Sequence, residues 1–233
     1  EILARDGLLR AIDMPTTTFP TEKVDFGKVI KFKQGMLTRV WENFQGGAAR
    51  TIRTAFDEFC SREAYWLEDY ALFMALKDFH QGAGWDTWSE DLLLRRPPAL
   101  DRARRLLAGG VGRHKLGQFL FARQWSALKH YANDKGIFLI GDVPIFVSID
   151  SSDVWANADQ FRLDAQRKPT VVAGVPPDYF SPTGQLWGNP HYDWEKMRQN
   201  GFGWWIARLR KTLEQVDLVR LDHFRGFEAY WEV

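Results

Sequence analysis

The sequence predicts an α/β protein whose parallel strands are separated by helices, either a barrel or a doubly wound sheet, with a long helical region before them. Two observations carry the strand part. A helical pattern, Gly136 and the apolar run Ile137-Phe138-Leu139-Ile140 follow one another, and near the end of the chain a second helix leads into Asp217-Leu218-Val219-Arg220-Leu221-Asp222-His223-Phe224. Helix, turn, then a continuous apolar strand is the pattern of an α/β unit whose strand is buried on both faces. The third observation is the turn-rich stretch 148–200 between the two units. A connection of that length carries function or its own small structure, and it leaves from the end of a strand where parallel α/β folds build ligand sites.

The earlier elements follow in order. A loop-like lead runs around Met14-Pro15-Thr16-Thr17-Thr18. Apolar residues recur at helical spacing over 35–60 and again over 61–80, where Trp66, Tyr70, Phe73, Met74 and Lys77 mark the pattern. Ser61 is a candidate N-cap for that second helix, with Glu63 near it, and Gly82 and Gly84 stop it. Pro97-Pro98 breaks the chain before a short helix over 100–107. From Lys115 onward Leu116, Phe119, Leu120, Trp125, Leu128 and Tyr131 line a helix that Gly136 ends, and Trp205, Leu209 and Leu213 mark the last one. The expected division is a mainly helical region over 1–114 and an α/β part over 115–233.

Composition bounds the function. The chain has 233 residues, 45% hydrophobic and 26% charged, which is the balance of a globular protein and excludes disorder. A net charge of +1 supplies no bulk field for nucleic acid or an anionic membrane. One cysteine, Cys60, forms no intrachain disulfide and anchors no zinc cluster, in keeping with a reducing compartment. The run Gly136 to Val147 is broken by Asp142 and Pro144 and is too short to span a membrane. The chain opens on Glu1-Ile2-Leu3 with neither a secretory signal nor a methionine, which reads as a processed product or a fragment.

Aromatic residues reach 15%, with 11 Trp and 17 Phe, which fits a large aromatic core or a site that stacks rings on sugars. Residues 55–91 carry nine acids against two bases, and 92–131 nine bases against one acid. Two adjoining helical pieces with complementary faces explain that separation better than a phosphate or nucleic-acid patch around Arg95, Arg96, Arg102, Arg104, Arg105, Arg113 and Lys115, which lacks aromatic interleaving. Gly109-Gly110-Val111-Gly112 with Lys115 neither follows a strand nor fits a phosphate loop.

Strand residues two apart point to one side, so Arg220 and Asp222 share a face. An arginine beside an aspartate keeps it ionised, and an ionised carboxylate at a strand end is a nucleophile or a stabiliser of a cationic transition state. The alternative is a structural ion pair. Asp142, inside an apolar strand, is the second candidate, because burying an unused carboxylate is costly; a cap before Pro144 is its alternative. Tyr179, Phe180, Gln185 and Trp187 offer stacking and amide hydrogen bonds for a polyhydroxylated ligand, or else pack their loop. His80, His114, His130, His191 and His223 lack metal-ligand spacing, and no nucleophile elbow or dinucleotide fingerprint is present.

Four segments carry a family resemblance. Gly141-Asp142-Val143-Pro144-Ile145-Phe146-Val147 with Asp150-Ser151-Ser152-Asp153-Val154-Trp155-Ala156-Asn157 resembles the third-strand segment of the 4-α-glucanotransferases, or amylomaltases, of glycoside hydrolase family 77. Gly174-Val175-Pro176-Pro177-Asp178-Tyr179-Phe180-Ser181 and Gly184-Gln185-Leu186-Trp187-Gly188-Asn189-Pro190 resemble the active-site loop of that family. Arg220-Leu221-Asp222-His223-Phe224-Arg225-Gly226-Phe227 resembles its fourth-strand motif, and Trp66-Leu67-Glu68-Asp69-Tyr70-Ala71-Leu72-Phe73 agrees in the helical part.

The resemblance implies a (β/α)8 barrel, here about strands three and four, with a helical insertion. It implies retaining transfer of α-1,4-glucan segments between maltodextrins. In that reading Asp222 is the nucleophile and Arg220 holds it ionised. Asp142 binds donor-sugar hydroxyls, and Tyr179, Phe180, Gln185 and Trp187 belong to the loop over the glucan. No metal or organic cofactor is implied, and the compartment is the cytoplasm, or alternatively a plastid. The acid/base glutamate of the family stands on the next barrel strand, beyond Val233, and the first two strands precede residue 1. The expectation is therefore a fragment lacking both ends, inactive alone or a non-catalytic maltodextrin binder, with exposed sheet edges that favour self-association.

Overall fold

The computed structural model describes residues 2–13, 18–179 and 181–233. The helices α1 (Ile2–Arg5), α2 (Phe26–Gln45), α3 (Arg50–Arg62), α4 (Ala64–Phe79), α5 (Glu90–Leu93), α6 (Pro97–Leu106) and α7 (Ala108–Asp134) come first. Then follow β1 (Ile140–Pro144), α8 (Ser152–Ala156), β2 (Val172–Val175), β3 (Gln185–Pro190), α9 (Trp194–Gln199), α10 (Gly203–Gln215), β4 (Leu218–Asp222) and β5 (Trp231–Glu232). The mixed helix and sheet content agrees with the α/β expectation. Of the expected loop-like lead, residues 14–17 lie outside the described residues.

Two compact units divide the chain, Glu1–Ala75 with Leu107–Phe121 and Leu76–Leu106 with Ala122–Val233. In the first, Phe44, Phe56 and Phe119 meet edge to face, with ring centroids 5.2 and 5.6 Å apart, and Phe59 lies 5.6 Å from Phe119. These rings come from α2, α3 and α7 and form the centre of a helical core. The helical pattern over 35–60 divides into α2 and α3 at Gly46 and Gly47, where Gly47 adopts φ +92°. Ser61 does not cap α4; it lies inside α3, which continues to Arg62. Glu63 alone separates the two helices, and its buried carboxylate accepts hydrogen bonds from Trp66 Nε1 at 2.7 Å and Arg62 Nε at 3.1 Å.

The glycine run at 109–112 is helical, because α7 starts at Ala108. A Cβ at Gly110 would lie 3.3 Å from Ala75 Cβ, and one at Gly112 would overlap the Trp41 ring. Close approach between helices, not phosphate binding, accounts for these glycines. The acidic and basic stretches pair with each other. Lys115 meets Glu68 in the first unit, while in the second Arg96 reaches Glu90 at 3.0 Å and Asp91 at 3.3 Å.

In the second unit Gly82 (φ +85°) ends α4 with its N–H on the Lys77 carbonyl at 2.7 Å. Pro97 takes the first position of α6, where its missing N–H costs nothing, so the expected break is also the helix start. Strands β1 and β4 pair in parallel, and β3-β2-β5 form a separate antiparallel sheet inside and beyond the long connection. That connection thus carries its own structure, α8, β2, β3 and α9.

The parallel pair is fixed at its start. Asp217 accepts from the Leu139 N–H at 2.8 Å and from Asn133 Nδ2 at 2.9 Å, and its own N–H donates to the Leu139 carbonyl at 2.9 Å. This lock accounts for β1 beginning at Ile140 instead of Ile137. Trp125 Nε1 and Lys129 Nζ donate to the end of α10 at the Gln215 and Val216 carbonyls, at 2.7 and 3.1 Å. The expected burial of β1 on both faces is not seen, since Val143 is buried while Ile140 is 71% exposed. Double burial needs a packed layer over each face of the sheet, and among the described residues the sheet that holds β1 is the two-stranded pair with β4.

Close packing also sets which glycines tolerate a side chain. A Cβ on Gly141 would stand 2.8 Å from Val216 Cγ2, whereas one on Gly117, inside α7, meets nothing within 4 Å. Urea unfolding should find Gly141→Ala destabilised by about 1–3 kcal/mol. Gly117→Ala should be stabilised by up to about 1 kcal/mol, since alanine is the better helix former.

Candidate active site

Register in the parallel pair sets Asp142 opposite Arg220 and Pro144 opposite Asp222. Arg220 Nε donates to Asp142 Oδ1 at 2.9 Å and Nη2 to Oδ2 at 2.5 Å, a bidentate grip. The same Nη2 reaches Asp222 Oδ1 at 3.3 Å. Arg220 therefore bridges two carboxylates on adjacent strands, and Asp142 is its closer partner. These hydrogen bonds hold the Asp142 carboxyl below the usual carboxylate range, outweighing a desolvation that pushes it up.

The C-terminal end of β1 is held from behind. Arg208 of α10 donates from Nη2 to the Pro144 carbonyl at 2.8 Å, and the Tyr192 hydroxyl donates to the Ile145 carbonyl at 2.5 Å. Burial pushes the Tyr192 phenol up, so it remains a donor. Beyond the strand, Phe146 packs 5.1 Å from His191 and 6.3 Å from Tyr230, and His191 stacks on Tyr230 at 4.2 Å. Burial lowers the His191 pKa and favours the neutral ring that this apolar setting suits. Asn189 Nδ2 donates to the Val147 carbonyl at 2.9 Å and ties β3 to the segment after β1.

Of the loop residues singled out in the sequence, Gln185 and Trp187 share one face of β3, and Trp187 Nε1 donates to Gln185 Oε1 at 3.0 Å. Tyr179 is exposed, and Phe180 lies outside the described residues. The Trp187 ring stands 5.1 Å from that of His223, edge to face. By spacing His223 is one of five scattered histidines, and the family resemblance includes it in the motif 220–227 without giving it a role. Its place directly after Asp222 is the signal that the sequence offers. Glu232 sits on β5 and pairs with Arg162. Among the described residues no group of three or more His, Cys, Asp or Glu is arranged to hold a metal ion, and no helix is long and apolar enough to cross a membrane.

An arginine between two aspartates on parallel strands, beside a loop bearing aromatic and amide side chains, defines an α/β protein with its candidate site at strand ends, where such folds take ligands. The family profile described as 4-alpha-glucanotransferase matches residues 2–233, and the chain belongs to that family. It is 51% identical over 231 residues to the 4-alpha-glucanotransferase of Thermus thermophilus, covering 99% of this chain and 46% of the relative. It is 37% identical to the chloroplastic/amyloplastic 4-alpha-glucanotransferase of Solanum tuberosum, covering 100% of this chain and 40% of the relative. The structure of amylomaltase from Streptococcus agalactiae in complex with acarbose superposes with a TM-score of 0.91 at 37% identity, covering 100% of this chain and 47% of that one. The chain thus spans less than half the length of the relatives it matches.

The Arg220 fork gives a titration test. Asp142, with its folded pKa depressed, contributes stability at pH values above its ordinary pKa and loses that contribution as pH falls through the lowered one. Arg220→Ala should move the Asp142 midpoint upward in carboxyl NMR titration, toward an ordinary aspartate. An unmoved midpoint would remove the fork as the cause.

Proposed function

We propose that the protein carrying this chain is a 4-α-glucanotransferase that moves α-1,4-glucan segments between maltodextrins by a retaining double displacement. The observation that carries the reading is the Arg220 bridge to Asp142 and Asp222, within a chain whose whole length matches the family. In this reading β1 and β4 are neighbouring strands, about the third and fourth, of a (β/α)8 barrel. Residues 1–114 form a helical insertion and 115–233 part of the barrel, with 148–200 as the active-site loop. The substrates are maltodextrins or starch-derived glucans, and the compartment is the cytoplasm or, in a plant, a plastid.

Asp222 attacks C1 of the donor sugar as a carboxylate. The bond from C1 to the glycosidic oxygen breaks, and a general acid protonates that oxygen, leaving a glucosyl ester on Asp222. The 4-hydroxyl of an acceptor then attacks C1, gives its proton to the same group acting as base, and frees Asp222. Two inversions retain the α configuration. Arg220 donates to Asp222 through one outer N–H and leaves the other carboxylate oxygen for C1. Asp142, held ionised by the same arginine, accepts from sugar hydroxyls. Gln185 and Trp187, with Tyr179 and Phe180, cover the glucan.

A second reading, that these 233 residues alone bind maltodextrin without turnover, is favoured by the state of Asp142. A general acid must hold its proton near neutral pH, and Asp142 has its pKa lowered instead. Glu232 is paired with Arg162 on the other sheet. In this reading the acid/base group is the glutamate that the family resemblance implies on another barrel strand.

In the full-length protein, Asp222→Asn should cut disproportionation of maltotriose by a factor on the order of 10^4, as product chromatography reads it. Retention of most of the activity by that variant would overturn the assignment.

A further inference from the structure

The indole of Trp187 lies across the ends of both strands that carry the site. Its ring is 5.1 Å from His223, which follows β4, and 6.4 Å from Phe146, which follows β1. Gln185 fixes the indole from one side by accepting its N–H at 3.0 Å. Phe146 is buried and backed by His191 and Tyr230, so the contact rests on a packed support.

His223 is the unusual partner. It adopts φ +53°, in the left-handed region where a residue bearing a Cβ is uncommon and strained. Its carbonyl accepts from the Gly226 N–H at 2.9 Å, closing a tight turn directly after Asp222. Gly226 is buried and leaves room for no side chain, since a Cβ there would lie 2.7 Å from Ile145 Cδ1 and 3.1 Å from His223 Cδ2. The imidazole is thus confined by Gly226 on its own turn and by the Trp187 edge from the loop.

We propose that Trp187 is a positioning residue for Asp222, acting through the ring of His223, in addition to any contact its loop makes with glucan. A strained turn persists only where its surroundings over-determine it. Ile145 packs at Gly226 and Trp194 and Trp205 at Phe227, while the indole is the ring that meets His223 itself, the residue next to Asp222. With the indole in place the turn at His223 holds the last residue of β4, so the Asp222 carboxylate keeps one direction relative to the Arg220 fork. With the indole removed the turn relaxes and the carboxylate samples directions that do not face C1. This inference rests on Asp222 being the nucleophile.

The test uses the full-length enzyme with maltotriose and four variants, Trp187→Ala, Trp187→Phe, His223→Ala and the alanine double variant, with thermal unfolding recorded for each. Misplacing a reacting group by about an ångström costs up to about a hundredfold in rate, so Trp187→Ala should lower kcat by about ten- to a hundredfold. Trp187→Phe, which keeps an aromatic edge, should recover most of that loss. The double variant should be no slower than the slower alanine single variant, because both remove one contact. Losses in kcat that multiply, or a rise in KM with kcat unchanged, would overturn the proposal and leave Trp187 a glucan contact only. If the Trp187→Ala protein unfolds at the assay temperature, the phenylalanine variant decides, since a kcat below a tenth of the parent in a folded protein contradicts the proposal. Asp222→Asn run in parallel separates the two ideas. Its retention of activity would remove the nucleophile reading, while its loss with additive Trp187 and His223 effects would remove only the positioning role.

Discussion

The site depends on one guanidinium placed between two carboxylates. Arg220 grips Asp142 with two N–H groups and touches Asp222 with one. The arginine supplies the positive charge that both carboxylates face. It does so unequally. The bidentate partner is held ionised and occupied, while the partner touched by one outer N–H keeps an oxygen free. That inequality supplies a reason to assign attack to Asp222 and hydroxyl binding to Asp142.

The bridge requires β1 and β4 to be parallel and in a single register, so the elements around them act as register-setting devices. The Asp217 carboxylate closes the beginning of the pair on Leu139 and Asn133. Gly141 lets the Val216 side chain approach β1 at a distance that a Cβ would forbid. At the far end Arg208 and Tyr192 occupy the Pro144 and Ile145 carbonyls, groups that the strand ladder leaves there. A slip of one residue would move Arg220 away from Asp142 and turn it to the other face. The exposed apolar side chains Phe138, Ile140 and Leu218 flank the same pair. In the barrel reading they meet the neighbouring strands.

Local pattern made some of this legible. Period-two spacing places Arg220 and Asp222 on one face, and Gly136 ends α7 with a positive φ as a helix C-terminus favours. Other features lie beyond local pattern. Ser61 resembles an N-cap in sequence, yet α3 continues through it, with Ser61 exposed and Phe56 and Phe59 burying the helix's other face. Gly109, Gly110 and Gly112 are poor helix formers by propensity, yet they lie within α7, where Gly110 faces Ala75 and Gly112 faces Trp41. The Asp142–Arg220 pair joins residues 78 apart, and the Trp187–His223 contact joins two motifs legible only as separate segments. In each case tertiary contact decided what propensity left open.

In the proposed reaction Asp222 carries the glucosyl group during transfer. The most direct measurement is acid-quenched turnover of maltotriose by the full-length protein, followed by peptide mass mapping. A nucleophilic Asp222 leaves a hexosyl adduct on the peptide that contains it, absent from Asp222→Asn. An adduct mapped to any other residue, or steady transfer with no adduct at all, would contradict it.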